Sequence, residues 1–177
     1  EQTDGKQMSI SSYRYSGDRT VLSYEEMNGY CNRAIKLNPN CKLTLILMQV
    51  NDIEDYMKNE GSGFVQDLLQ SVQDTVRRHV GHRGIVCPLQ PNLMSVVVQD
   101  INSDIKLRAF IESLRSRIAW NYRLVDPKYE ISFSFGVACY PENGMDMRIV
   151  HRKLVKALQM AQEKHANCYV IYKEHLH

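Results

Sequence analysis

The segment Lys42–Val50, KLTLILMQV, carries the clearest indication of the fold in this chain of 177 residues. Apolar residues occupy nearly every position in it, whereas a strand with one face in water alternates apolar and polar residues. A continuous apolar run of this length is typical of a strand that is covered on both faces. We therefore expect Lys42–Val50 to form the central strand of a sheet.

Four further runs are rich in β-forming residues and supply neighbours for that strand. They are Gly84–Leu89, Leu93–Val98, Tyr129–Tyr140 and Cys168–Tyr172. Only Gln90-Pro91-Asn92 separates the first two runs. This spacing predicts a β-hairpin, although the turn is not of the preferred Asn-Gly type.

Three stretches between these runs repeat apolar residues at the helical period of 3.6. They are Phe64–Val80, Asp104–Leu124 and Met147–Lys164. The apolar set includes Ile105 and Trp120 in the second stretch, and it includes Ile149, which we expect to face inward, in the third. The polar face expected for the first helix carries Gln66, Asp67, Gln70, Gln73, Asp74 and Arg77. Strands that alternate with helices predict a two-layer α/β (α+β) architecture, with helices packed on a central sheet of about five strands.

The two ends of the chain differ from this α/β unit, which we place at residues 40–173. Residues 1–20 are polar and lack a period, so we expect a linker or an extended arm. Residues 21–39 predict a leader helix, because Ser23 and Glu26 have capping-box spacing and Asn38-Pro39-Asn40 ends the apolar period. We expect this helix to pack on the domain or on a second copy and to carry a signal inward, since an isolated helix of this length is unstable in water. Residues 174–177 are expected to form a tail.

Composition and charge limit the classes of function. The chain is 44% apolar and 24% charged, which is ordinary for a globular domain. Its net charge of +2 comes from interspersed residues, and this gives no support to nucleic-acid binding. Five cysteines lie far apart without a C-x-x-C pair, which predicts buried, reduced thiols in a cytoplasmic protein. No apolar run approaches a membrane span, and the start is neither a signal peptide nor an initiating methionine, so we expect a piece of a longer protein.

Three local signatures resemble the GGDEF family of bacterial diguanylate cyclases, whose palm-like fold is shared with class III cyclases. Leu45–Gly61 is similar to the opening segment of the family, an apolar strand that ends in D-x-D-x-F-K-x-x-N-D and a glycine. Ser132–Gly144, SFSFGVACYPENG, closely resembles T-x-S-x-G-V-A-x-Y-P-x-x-G and is the most specific of the three. Ala157–Tyr172 resembles A-L-Y-x-A-K-x-x-G-R-N-x-V-x-x-Y. The resemblance spans residues 40–173 and implies the palm-like GGDEF fold.

The resemblance also implies a metal-dependent reaction, but the residues for it are replaced in this chain. The family joins two nucleoside triphosphates by attack of a ribose hydroxyl on an α-phosphate, with two divalent metals held by carboxylates. Gln49 and Asn51 stand where the motif has its two aspartates, and Asn92 stands where the hairpin has a glutamate. An amide brings no negative charge, whereas Mg²⁺ sites on proteins normally include one or two carboxylates. We therefore expect no metal, no other cofactor and no catalysis.

The positions that contact the guanine base in the family are replaced as well. Two hairpin glycines let the backbone approach the nucleotide closely, and they correspond to Gln90 and Pro91 here. An asparagine and an aspartate that contact guanine fall on Met57 and Gln66. The resemblance therefore implies that this nucleotide pocket is degenerate.

Two further family features are replaced, namely the phosphate contacts and the inhibitory product site. A lysine and an arginine that bind phosphate fall on Gln162 and Ala166, neither of which can balance phosphate charge. The R-x-x-D motif that binds cyclic di-GMP falls on Gly81 and Gly84. We therefore do not expect tight binding of cyclic di-GMP at that site.

Other groups of polar residues offer weaker alternatives. Asp52, Glu54 and Asp55 could replace the lost metal ligands, but a solvated loop is the stronger interpretation because no second acidic residue stands at the hairpin. His79 and His82 have a spacing found in some metal sites. Without a cysteine or carboxylate nearby, we interpret them as surface residues.

Together these patterns predict a non-catalytic GGDEF-like regulatory or interaction domain of a multidomain bacterial signal-transduction protein. By analogy, a transcriptional regulator with an AraC-type helix-turn-helix output is one parent to consider. The expected partners are a second copy or other domains of the parent protein, with no nucleic acid bound by this domain. One alternative is a receptor domain that binds a nucleotide or another small ligand in the former active-site cleft. Another is residual cyclase activity with unusual ligands.

Overall fold

A computed structural model describes residues 24–101, 103–125, 131–164 and 167–175. The five strands are β1 (Leu43–Val50), β2 (Gly84–Gln90), β3 (Leu93–Gln99), β4 (Phe133–Tyr140) and β5 (Cys168–Ile171). The five α-helices among the described residues are α1 (Tyr24–Leu37), α2 (Ile53–Glu60), α3 (Ser62–Val80), α4 (Asp104–Val125) and α5 (Met147–Lys164). The linker predicted at residues 1–20 lies outside the described residues.

The five strands form one sheet in the order β2-β3-β1-β4-β5, so β1 is central, as predicted. β1 pairs antiparallel with both β3 and β4, whereas β4 and β5 are parallel. Every residue of β1 except Gln49 is buried. In the register of the sheet, Gln49 lies opposite Leu93 of β3 and Ser134 of β4. The last residues of β1 therefore meet the β2–β3 hairpin and the start of β4 at one end of the sheet.

Helices cover both faces of the sheet, which explains why β1 is apolar at successive positions. Ile46 and Met48 lie in one core with residues of α3 and α4. Leu45 and Leu47 lie in a second core with residues of α1 and α5. Successive side chains of a strand point to opposite faces, so each position meets a helical layer. Full burial of one such side chain contributes about 1.5–3 kcal/mol.

α5 approaches the sheet closely at Gly136, near the middle of β4. A Cβ atom added there would lie 2.3 Å from the Leu158 backbone nitrogen and 2.8 Å from the Leu154 carbonyl oxygen. The absence of a side chain therefore sets the distance between α5 and β4. This glycine belongs to the segment Ser132–Gly144, which carries the most specific sequence signature.

The leader helix α1 packs on the sheet, which is one of the two alternatives expected for it. Met27 and Cys31 are completely buried in the core with α5. The Ser95 hydroxyl donates a hydrogen bond to the Met27 sulfur at 2.9 Å, and the Gln99 amide donates one to the Tyr30 hydroxyl at 2.6 Å. α1 therefore contributes to the same hydrophobic core as α5. None of the described helices is long and apolar enough to cross a membrane.

The structure corrects several expectations about individual side chains. Ile105 is 81% exposed and Trp120 64% exposed on α4, so neither takes part in its apolar face, and Ile149 on α5 is 37% exposed. Each helix already covers its face of the sheet with other residues of its apolar stripe. Gln73 was assigned to the polar face of α3, but it is buried and accepts a hydrogen bond from Arg77 at 3.3 Å. An intrahelical partner makes this burial tolerable.

The polar stretch after β1 is also more regular than expected. We predicted no helix there, yet residues 53–60 form α2, and α3 begins at Ser62, two residues earlier than predicted. α2 has no fully buried residue, but Ile53 and Tyr56 pack partly against the core. Two apolar residues at a spacing of three place one side of this short helix on the domain.

Candidate functional site

The candidate site is a cleft of about 450 Å³ at the end of the sheet where β1 ends and β4 begins. It is lined by Gln49, Val50, Asn51, Asp52, Ile53, Glu54, Asp55, Asn92, Ser134 and Gln162. The lining comes from five elements, since it includes the end of β1, the start of α2, the β2–β3 hairpin, the start of β4 and the last turn of α5. Four sequence-predicted positions, Gln49, Asn51, Asn92 and Gln162, are thus brought together.

Gln49 and Gln162 contact each other across this cleft. The amide nitrogen of Gln162 donates a hydrogen bond to the side-chain oxygen of Gln49. These two positions are 113 residues apart in sequence, and the contact joins the end of β1 to the last turn of α5. The Gln49 oxygen therefore already accepts a hydrogen bond from within the domain.

Asn92 binds the end of β1 through both its backbone and its side chain. Its carbonyl oxygen accepts a hydrogen bond from the Val50 amide at 2.9 Å. Its side-chain nitrogen donates to the Val50 carbonyl oxygen at 3.2 Å. The amide thus helps to hold the hairpin on β1 as an extension of the strand pairing.

Asn51 is bound to β4 in a similar way. Its side-chain nitrogen donates to the hydroxyl oxygens of Ser132 at 2.9 Å and Ser134 at 3.1 Å. The Ser134 hydroxyl can also donate a hydrogen bond to the Asn51 side-chain oxygen, at 3.4 Å. Sequence reasoning did not identify these serines as part of the site. Their spacing of two in the strand-like segment was a usable signal, because it places both side chains on one face.

The acidic residues of the cleft are solvent-exposed, as predicted, but they lie at the start of α2 and not in a loop. Asp52 precedes the helix in a left-handed conformation with φ of 63°, and Glu54 and Asp55 lie in the first turn. Carboxylates at this place interact favourably with the positive end of the helix dipole. Burial, followed by the charges of Asp52 and Asp55, raises the pKa of Tyr56 above its ordinary value. The described residues contain no group of three or more His, Cys, Asp or Glu side chains that could hold a metal ion.

The remaining predicted positions lie apart from the lining of this cleft. Gln90 is half-buried at the end of β2 beside a register irregularity, and Pro91 is exposed in the turn. Met57 is 44% exposed on α2, and Gln66 is exposed on α3. Ala166 lies outside the described residues.

His79 differs from our interpretation of it as a surface residue, whereas His82 is exposed. The His79 ring packs on Phe110 with 4.7 Å between ring centroids, and its Nε2 atom lies 3.3 Å from the Phe110 carbonyl oxygen. Burial is the main reason that its pKa is lowered. This histidine joins α3 to α4 and lies on other elements than those of the cleft.

Comparison with known proteins agrees with this architecture. The family model described as "Diguanylate cyclase, GGDEF domain" matches residues 24–168. The active GGEEF domain of a diguanylate cyclase from Vibrio cholerae is 15% identical, with a TM-score of 0.73 over 85% of this chain and 94% of that one. The GGDEF domain of DgcB from Caulobacter crescentus, in complex with c-di-GMP, is 13% identical, with a TM-score of 0.73 over 89% of this chain and 98% of that one.

A third solved structure gives the same result. The GGDEF domain of YfiN from Pseudomonas aeruginosa is 14% identical, with a TM-score of 0.74 over 90% of this chain and 95% of that one. No curated protein matches this chain significantly by sequence. At these identities the solved structures establish the fold, and the family model extends over most of the sequence. The chain therefore belongs to the GGDEF family.

Proposed function

We propose that this chain is a non-catalytic GGDEF domain that acts as a regulatory or interaction domain of a multidomain bacterial signalling protein. The observation that carries the proposal is the hydrogen bond between Gln49 and Gln162. By resemblance, these positions correspond to a metal-binding aspartate and a phosphate-binding lysine. In this chain two neutral amides occupy both positions and bind each other.

The chemistry of phosphoryl transfer supports this proposal. Two metal ions neutralise the phosphates and activate the attacking hydroxyl, and carboxylates normally hold such ions. Gln49 and Asn92 supply no charge, and their side chains already bind Gln162 and the Val50 carbonyl. A metal ion would find only uncharged ligands at these two positions, and it would have to compete with the Gln162 amide for the side-chain oxygen of Gln49.

The lining of the cleft also opposes a triphosphate. Its described residues include Asp52, Glu54 and Asp55 but no lysine, arginine or histidine. A bound triphosphate would therefore meet carboxylates without a compensating cation from these residues. Without metal ions between them, the carboxylates of the cleft would repel the phosphates of a nucleotide.

A regulatory role would use the preserved scaffold. α1 shares its buried core with α5, and α5 supplies Gln162 to the cleft. A displacement of α1 by a preceding segment or by a second copy would change the packing of this core. The proposed partners are a second copy or other domains of the parent protein, and transcriptional regulation is one output. The five cysteines are thiols that are not joined in disulfides, which favours a reducing, cytoplasmic compartment.

The direct test is a synthesis assay with GTP and either Mg²⁺ or Mn²⁺, with cyclic dinucleotide measured by chromatography. We expect no product from this chain. A catalytically competent GGDEF domain in the same assay provides the positive control. Because metal assistance contributes several kcal/mol, its loss should lower the rate by at least about a thousandfold. Turnover above the enzyme-free background would contradict the proposal and favour residual cyclase activity with unusual ligands.

A receptor function is the second candidate, and the size of the cleft favours it. A volume of about 450 Å³ lies in the range of small-molecule pockets. Its carboxylates and amides suit a neutral or cationic polar ligand better than a nucleotide. Thermal shifts with GTP, ATP, cyclic di-GMP and Mg²⁺ test this candidate, since a ligand selective for the folded state raises the melting temperature. We expect no shift with the three nucleotides.

A further inference from the structure

A second cavity, of about 370 Å³, lies at the opposite end of the sheet from the candidate cleft. It is lined by Thr44, Ile101, Ser103, Asp104, Leu107, Cys139, Glu142, Asn143, Ile171, Tyr172, Lys173, Glu174 and His175. Here β1 begins and β4 and β5 end. We call this space the distal cavity, and its size suits a small organic molecule.

The distal cavity has an apolar side formed by residues that belong to the folded core. Leu107, Ile171 and Tyr172 are each less than one-tenth exposed. Ile101 packs partly against the same core as Leu107 and Ile171. These residues offer a preformed apolar surface to the body of a ligand.

The polar side of the distal cavity is held by a buried asparagine. Asn143 is only 4% exposed, and its side-chain oxygen accepts a hydrogen bond from the Cys139 backbone amide at 2.8 Å. Its side-chain nitrogen donates to Glu174 at 3.3 Å. The turn after β4 and the last described residues are thus joined, and the shape of the cavity exists without a ligand.

The charges at the distal cavity are unequally compensated. Asp104 accepts hydrogen bonds from Lys173 at 3.0 Å and from Arg108 at 3.3 Å, and Glu174 forms an ion pair with Lys153. Glu142 takes part in no ion pair among the described residues. Among the described residues, the carboxylate of Glu142 is therefore the one in the lining of the distal cavity that no cation neutralises in an ion pair.

Cys139 lies in the wall of the cavity, and the pKa of its thiol is affected by the charge of Glu142. Burial is the main reason that its pKa is raised to about 11, and the next contribution is the negative charge of Glu142. Lys173 acts in the opposite direction but ranks below Glu142.

We propose that the distal cavity is a binding site for a small organic cation, a primary amine on an apolar or aromatic body. The body would lie against Leu107 and Ile171, and the ammonium group would pair with Glu142. This site is separate from the former nucleotide cleft and would work whether or not the domain is catalytic. It would place the ligand beside residues 172–175.

The test measures the affinity of tyramine, with 4-hydroxyphenylacetate as a probe of similar size and opposite charge, by titration calorimetry on the full chain. We expect tyramine to bind and the carboxylate not to bind. Glu142→Gln should weaken tyramine binding by about fivefold, the effect of one exposed ion pair. Glu163→Gln, which removes an equal charge from an exposed position on α5, should leave the affinity unchanged.

A second measurement locates the ligand without relying on a variant. Mass spectrometry can follow alkylation of Cys139 by iodoacetamide at pH 9, and saturating tyramine should slow it at least about threefold. The proposal is overturned if tyramine fails to bind, if both probes bind equally, or if Cys139 is not protected. It is also overturned if Glu54→Gln in the other cleft, and not Glu142→Gln, weakens binding.

Discussion

Polar side chains have different kinds of partner at the two ends of the sheet. At the candidate cleft, amides bind each other, the backbone and serine hydroxyls, as in the pair Gln49 and Gln162. At the distal cavity, carboxylates are held by cations, as Asp104 is by Lys173. The cleft end therefore depends on neutral hydrogen bonds and the distal end on ion pairs. The same buried sheet supports both, so the fold is compatible with amide side chains at positions 49, 92 and 162 of the cleft.

The largest loss of stability is expected for a substitution in β4, the strand that runs from the candidate cleft to the distal cavity. Gly136→Ala should destabilise the domain by about 3 kcal/mol or more, because the new Cβ would lie 2.3 Å from the Leu158 backbone. Urea denaturation followed by circular dichroism measures the change. Gly63→Ala is the matched control, since a Cβ there meets nothing within 4 Å, and we expect no loss of stability. Equal stability of the Gly136 variant and the wild type would refute the close approach of α5 to β4.

A pair of asparagine substitutions compares the two ends directly. Asn143→Ala should cost about 1–3 kcal/mol, because the buried Cys139 amide would lose its partner. Asn51→Ala should cost less, about 0.5–1.5 kcal/mol, because it removes half-buried bonds to Ser132 and Ser134 and water can replace them. The same denaturation experiment gives both values. The reverse order would mean that the cleft end is the more rigid one.

The pH dependence of stability should separate the ends further. Hydrogen bonding to Lys173 is the main cause that lowers the pKa of Asp104 below its ordinary value of 3.8. A lowered folded-state pKa stabilises the domain above the unfolded value, and this contribution disappears as the pH falls through 3.8 and then through the folded value.

We therefore expect Asp104→Asn to be less stable than the wild type at pH 7, with a smaller difference at pH 3. Because Asp104 is well exposed, solvent screening keeps the effect small. Gln49→Ala, which alters only amide contacts, should show the same difference at both pH values. If the loss of stability caused by Gln49→Ala changed with pH, the proposed difference between the two ends would be contradicted.

The smallest change, in this case in catalytic activity, is expected from introducing carboxylates at the two positions that the family resemblance assigns to metal ligands. The double variant Gln49→Asp, Asn92→Glu should still make no cyclic dinucleotide, because Pro91, Met57 and Gln66 keep their residue types and Gln162 supplies no cation. The synthesis assay with GTP and Mn²⁺ measures this, and calorimetry with Mn²⁺ shows whether the metal site alone has returned. Product formation would show that our account of the nucleotide pocket is wrong, even if the account of the metal site holds.

Much of the fold was predictable because it depends on local periodicity. The apolar run of β1 gave its central position, and the helical periods gave α3, α4 and α5. The exceptions are residues such as Ile105 and Trp120, which are apolar but exposed. Whether such a residue is buried depends on which side of the helix packs on the sheet. The helical period of the apolar residues does not identify that side when some apolar residues lie on the other sides of the helix.

The amino-acid sequence was enough to identify the resemblance to the GGDEF family and to find amide residues, Gln49, Asn92 and Gln162, at positions that this resemblance aligns with charged ones. The folded arrangement was needed to show that Gln49 and Gln162 bind each other and that Met57 and Gln66 lie away from the cleft lining. It also created the distal cavity, which joins residues as distant in sequence as Thr44 and His175. The physical reason is that residue identity sets the charge and hydrogen-bonding capacity of a side chain. The partners of that side chain depend on strand register and helix packing, which bring distant segments together.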